Sequence, residues 1–156
     1  MKREQVFREE GNLFYIIEGF SINASNPPFF NEFQADIQNI FIVVTGTSIS
    51  EIDCSLIASK NTATIFLINP NGIIFKSNTF NIGELGGSFL ASTASSIIFG
   101  DRTQFGVATA NTTASVPIGL QFGEQVGTIR VLGASLAVPP GKTLALVGGD
   151  LWLEGG

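Results

Sequence analysis

Apolar residues in this chain fall in short runs, each closed by glycine, proline, asparagine or serine. Leu13–Glu18, Ile37–Val44, Thr64–Ile68, Ile73–Phe75, Ser88–Ala91, Ser96–Phe99, Gly119–Phe122, Thr128–Val131, Ser135–Val138, Thr143–Val147 and Leu151–Leu153 read as strands on that pattern. No long helical periodicity separates them, which disfavours a sheet of βαβ units and leaves a sandwich or a solenoid. The second half favours the solenoid. The segments starting at Thr128, Ser135, Lys142 and Asp150 are each a short alternating strand ending in glycine or proline-glycine. Alternation puts Ile129 with Val131, Leu144 with Leu146 and Leu151 with Leu153 on one face. Units too short to bury a face alone must stack on one another.

One segment carries two periods. Phe33, Ile37, Ile40, Phe41 and Val44 follow the stripe of an amphipathic helix, and pattern alone predicts a helix from Asn31 to Val44. The β-branched and aromatic run from Phe41 to Thr45 opposes it. We take the segment as strand.

The most specific local signal is Asn69-Pro70-Asn71-Gly72 between two apolar runs. Asparagine, proline and glycine suit the first, second and fourth positions of a type I turn. Pro70 presets its φ, the Asn69 side chain can fold onto the backbone ahead, and Gly72 leaves the turn with free φ. Taken alone this is a β-turn between buried strands.

Around that turn lie further blocks in a fixed order. Ile37-Gln38-Asn39-Ile40 and Val44-Thr45-Gly46 precede it. Gly87–Thr93, Pro117–Gly123 and Gly141–Asp150 follow. In this order they closely resemble the amino-terminal haemagglutination-activity, or two-partner-secretion, domain of filamentous-haemagglutinin-like proteins, from about Gly11 to the last residue. The resemblance implies an all-β, right-handed parallel β-helix over residues 11–156, an incomplete slice of the full domain. It also implies a non-catalytic secretion-recognition part of a large exported adhesin or haemagglutinin-type exoprotein. The partner so implied is an outer-membrane β-barrel transporter of the two-partner-secretion type. The passenger presents this domain unfolded on the periplasmic side, and folding outside the cell could bias transport outward. A carbohydrate or cell-surface receptor of the full-length protein is a further partner that the resemblance leaves open. In the family the Asn-Pro-Asn-Gly-Ile segment belongs to the secretion-competence region, which maps here onto Asn69, Pro70, Asn71, Gly72 and Ile73. The chain departs from the family pattern at Thr47–Ser50, where a turn-forming Asn-Pro is missing. It departs again at Cys54 and Lys76, where glycine is common, and at an insertion, Glu84–Gly86. These changes bear on two corners of the coil.

Composition narrows the picture. The chain has 156 residues, 44% hydrophobic and only 13% charged. That is about half the usual charged fraction, so Asn, Ser, Thr, Gln and Gly must cover the surface. The fourteen phenylalanines are expected to point inward and stack in successive coils. Net charge is −5, and Lys2, Arg3 and Arg8 are three of the eight basic residues. Residues 1–10 therefore read as a charged N-terminal extension, for which disorder is an open reading. No basic stripe tracks phosphates, which excludes nucleic acid and anionic membranes as expected partners. No run is long enough for a transmembrane helix. The first residues have basic character without an apolar stretch behind them, unlike a signal peptide. We therefore expect a slice of a larger protein, trimmed or truncated. Its full-length form would be secreted or held at the cell surface of a Gram-negative-type bacterium.

Candidate chemistry is sparse. Histidine is absent, so Ser-His-Asp and Cys-His arrangements are impossible. No metal set, phosphate loop or cofactor motif occurs, and we expect no cofactor and no enzyme. The alternative to weigh is a β-helix carbohydrate-active enzyme, which normally needs paired carboxyl groups at one site. Glu51 and Asp53 alternate and could share a strand face, and Asp101-Arg102 is the only adjacent acid–arginine pair beyond the first ten residues. Adjacency in a strand would send those two side chains to opposite faces. Cys54 reads as a buried apolar filler and Trp152 as core or cap. A non-functional relic of a truncated gene is the third reading.

Overall fold

The computed structural model describes residues 2–23, 25, 36–54, 62–76 and 87–155. The described residues hold fourteen strands and no helix. In chain order the strands are β1 (Lys2–Glu9), β2 (Asn12–Gly19), β3 (Ile22–Asn23), β4 (Asn39–Val44), β5 (Ser50–Asp53), β6 (Thr64–Ile68) and β7 (Ile73–Phe75). They continue with β8 (Phe89–Ser92), β9 (Ser96–Phe99), β10 (Gln104–Gly106), β11 (Pro117–Gln121), β12 (Thr128–Leu132), β13 (Leu144–Val147) and β14 (Asp150–Glu154). One sheet has the order β1-β2-β4-β6-β8-β13 and a second the order β14-β12-β7-β5-β3. From β2 to β8 and again from β12 to β14, consecutive strands alternate between these two sheets, and within each sheet the neighbours run parallel, β1 excepted. The chain therefore winds a parallel β-solenoid of about five turns.

Like residues sit over like. Phe14 lies beside Phe41 and Phe41 beside Phe66, while Leu13, Ile40 and Ile65 form the adjacent row. Because the side-chain period is two, the two rows face opposite ways. Ile40, Ile42, Val44, Ile65, Leu67, Phe89 and Ala91 point into the coil and meet Ile52, Ile73, Phe75 and Ile129 of the second sheet, all buried. Phe14, Phe41, Val43 and Ile68 belong to a separate buried cluster on the outer face of the first sheet.

What covers that outer face is an excursion. Between β8 and β12 the chain leaves the coil and builds an antiparallel sheet of order β10-β9-β11. Ile97, Phe99 and Phe105 of this sheet are fully buried against the outer row. The Phe14 and Phe41 rings stack at 5.0 Å, and Phe41 and Phe66 at 4.8 Å. Phe99 meets Phe41 edge-on at 5.1 Å, and Phe105 meets Phe14 at 4.7 Å. Aromatic pairs of this kind add about 0.5–1.5 kcal/mol to simple burial. The phenylalanine ladder expected inside the coil thus runs along its outside wall. Phe75 and Phe89 do pack inside it, 6.1 Å apart.

This double burial resolves the helix-like stripe. A strand buried on both faces shows a near-continuous apolar run rather than alternation, and β4 is buried at every position from Ile40 to Val44. The part of that stripe at Asn31–Phe33 lies outside the described residues.

The N-terminal extension is corrected: Lys2–Glu9 pairs with β2 as an antiparallel hairpin. Its charge hid a strand because residues 4–9 are all exposed, so no apolar alternation was required of them. Ser135–Val138 forms no strand. Pro139 and Pro140 follow it without backbone donors, while Leu136 and Val138 still pack against the inner core.

Candidate functional site

The corner between β6 and β7 holds the five residues Asn69–Ile73. The Gly72 N–H donates to the Asn69 carbonyl at 3.2 Å, closing the turn that the four residues predict. The Asn69 carboxamide oxygen accepts the Asn71 N–H at 3.0 Å and the Asn71 side-chain amide at 2.9 Å. Its nitrogen donates across to the previous turn, to the Ser50 hydroxyl at 2.9 Å and the Ser48 carbonyl at 3.0 Å. Asn71 reaches the same neighbour, donating to the Gly46 carbonyl at 2.7 Å. Gly72 has φ near +135°, a region that side chains rarely adopt.

The turn is clasped from the other side as well. Gly127 donates its N–H to the Pro70 carbonyl at 2.9 Å, and the Gln125 side chain donates to the Asn71 carboxamide oxygen at 3.3 Å. A Cβ at Gly127 would stand 2.5 Å from the Asn71 carbonyl carbon, so only glycine lets the two backbones approach. The Asn69 N–H donates to the Ser92 carbonyl at 3.0 Å. One corner thus binds three successive turns of the coil.

Exposure decides what the corner can do. Asn69 and Ile73 are 0% exposed, Pro70 and Gly72 are buried, and Asn71 alone is half-buried. Both donors and the acceptor of the Asn69 side chain are engaged, and nothing of it is presented to a partner in the folded coil. That Gly46, Ser48, Ser50, Gln125 and Gly127 bond to the turn was not legible in the sequence. Ser48 and Ser50 belong to the Thr47–Ser50 stretch where the chain departs from the family pattern, and that departure supplies two of the acceptors.

The profile of the TPS secretion domain family matches residues 4–156. The chain belongs to the TPS secretion domain family. No curated protein and no solved structure gives a match. The match begins ahead of Gly11, so it takes in most of β1.

The remaining candidates of this TPS domain are dispersed. Glu51 and Asp53 do share the outer face of β5, and Glu51 pairs with Lys76 at 3.3 Å. Asp101 and Arg102 lie in the tight turn from β9 to β10, not in a strand; the Arg102 N–H donates to the Phe99 carbonyl and Arg102 has φ near +70°. The Asp101 carboxylate accepts from the Thr113 hydroxyl and the Thr103 N–H, and these bonds hold it below the usual carboxylate range. Asp101 is therefore part of the excursion, whereas Glu51 is on the second sheet. Cys54 packs half-buried against the inner core, and burial followed by the Asp53 charge pushes its thiol up. Trp152 is neither core nor buried cap: it is 56% exposed, with its N–H donated to Glu154 at 3.0 Å and Arg130 over the ring at 5.8 Å. It sits on the last strand, where β14 has a partner on one side only.

A groove of about 390 Å³ separates β11 from the outer face of the first sheet. Phe66, Leu90, Leu120 and Val147 line it, and none of its lining residues is titratable. Among the described residues no group of acids or cysteine is gathered to hold a metal, and no helix is long and apolar enough to cross a membrane. The Glu84–Gly86 insertion lies outside the described residues.

Proposed function

We propose that this TPS domain is the secretion-recognition part of an exported exoprotein of the adhesin or haemagglutinin type, engaged by an outer-membrane β-barrel transporter while the chain is still extended. The observation that carries the reading is the burial of Asn69–Ile73. A segment that offers almost nothing at the folded surface can be read by a partner only before the coil closes. Once closed, the same residues serve the fold, because unmade bonds to buried polar groups cost about 1–3 kcal/mol each. The two roles follow each other in time: recognition first, then a corner that stabilises the exported coil.

The test is export of the full chain behind a signal peptide, co-expressed with a cognate transporter. Export is expected, and Asn69→Ala and Asn71→Ala should lower it. Phe41→Ala is the companion variant, since it weakens the fold without touching the segment. Export that survives Phe41→Ala and fails with Asn71→Ala supports the reading. Export that follows folded stability alone across the three variants rejects recognition at this corner.

A further inference from the structure

In a simple solenoid each turn contacts only its neighbours, and stability is close to a sum of unit and interface terms. This coil breaks that rule at one place. The excursion leaves from β8 and returns into β12, both in the fourth turn, yet it lands on the first and second. Phe99 and Phe105 pack on Phe14 of β2, and Phe99 also on Phe41 of β4. The Asn12 amide, 3% exposed, donates to the Thr113 carbonyl at 2.9 Å and the Ser115 carbonyl at 2.8 Å. Asn39 donates to the Asn12 carboxamide oxygen at 3.0 Å, which ties the second turn into the same bond chain. Thr112 adds a bond to Glu9 at 3.1 Å, and Thr113 is tied back to Asp101. The longest of these contacts span about a hundred residues of chain; Asn12 and Thr113 are 101 positions apart.

We propose that the excursion, residues 93–127, is a folding latch. It makes the first two turns conditional on chain far downstream, and so replaces turn-by-turn winding with closure as one unit. Without it the Phe14–Phe41 wall faces water, and the Asn12 amide loses both of its carbonyl acceptors on the excursion. The Asn69–Gly72 corner waits on the same segment, because Gln125 and Gly127 close its far side. Closing so long a loop is slow before it is rewarded, as expected for contacts of high sequence separation. A corollary rests on the export reading: the latch keeps the corner open until the excursion has also emerged. The latch itself does not depend on that reading, and it can be tested on purified protein.

The experiment is native-state amide exchange on the full chain, resolved by strand. With Phe105→Ala, protection in β2 and β4 should fall at least about tenfold, together with β9 and β10, because coupled segments open as one unit. Nearest-neighbour behaviour predicts loss in β9 and β10 with β2 unchanged, and that outcome overturns the latch. Asn12→Ala probes it from the other end: the amides of β9, β10 and Thr113–Ser115 should lose protection while β13 keeps its own. If Phe105→Ala does not fold, Asn12→Ala decides, and unchanged protection in β9 and β10 rejects the proposal. Leu146→Ala on β13 is the control. Equal loss in β2 from that variant would mean that the whole coil is coupled without the excursion, which also overturns it.

Discussion

The Asn69 side chain bonds to two groups on the preceding turn and to two within its own. Replacing it by alanine leaves the buried Ser50 hydroxyl without that donor, and unsatisfied groups of this kind cost about 1–3 kcal/mol. Asn69→Ala should therefore lower unfolding free energy by about 2–3 kcal/mol, and half-buried Asn71→Ala by about 1 kcal/mol. Urea midpoints at unchanged m would check the order. Asp101 makes a pH prediction. Its folded pKa lies below the ordinary value, so its contribution is present above about pH 4 and is lost as pH falls through the folded value. Stability measured down to acid pH should decline less in Asp101→Asn than in the parent. The turn at Asn69 was legible in the sequence because its chemistry is local: each residue suits its own position. Asn12 was not, since nothing near it in the chain announces acceptors 101 and 103 positions away.

Among strands, burial on one or two faces sets both legibility and energetic weight. The coil-forming strands β2, β4, β6, β8 and β12 showed as apolar runs and were found within a residue or two of their ends, as usual for boundaries. β5 was missed because only Ile52 among its residues is both apolar and buried, and β10 because Gln104 and Gly106 flank a single buried ring. Phe41 sits where three strands of the first sheet meet the excursion. It stacks between Phe14 and Phe66 and meets Phe99. Phe41→Ala should cost about 3–5 kcal/mol, whereas Trp152→Ala, on an exposed last strand, should stay within about 0.5 kcal/mol. Thermal or urea unfolding of the two variants side by side would separate them.

For the molecule as a whole, the stacked order was legible as a family pattern and only faintly as a period. The excursion is the physical reason: Ser92 lies beside Val147, 55 positions on, where an uninterrupted coil would place a nearer residue. The two ends of the stack differ. At the last turn Leu144, Val147, Leu151, Trp152 and Leu153 are 36–70% exposed on strands with one neighbour each. Such edges invite pairing unless charge or proline blunts them. We expect concentration-dependent self-association of this 156-residue chain by light scattering, weakened by Leu153→Lys. At the other end β1 runs against the grain of the sheet and carries Lys2, Arg3, Glu4, Arg8 and Glu9. That edge of the first sheet is reversed and charged, which makes it a poorer partner for another strand than the apolar edge of the last turn. Two copies pairing through their β13 and β14 edges would be related by a twofold axis. A reversed strand at one edge thus biases self-association of this polypeptide toward the apolar edges of β13 and β14.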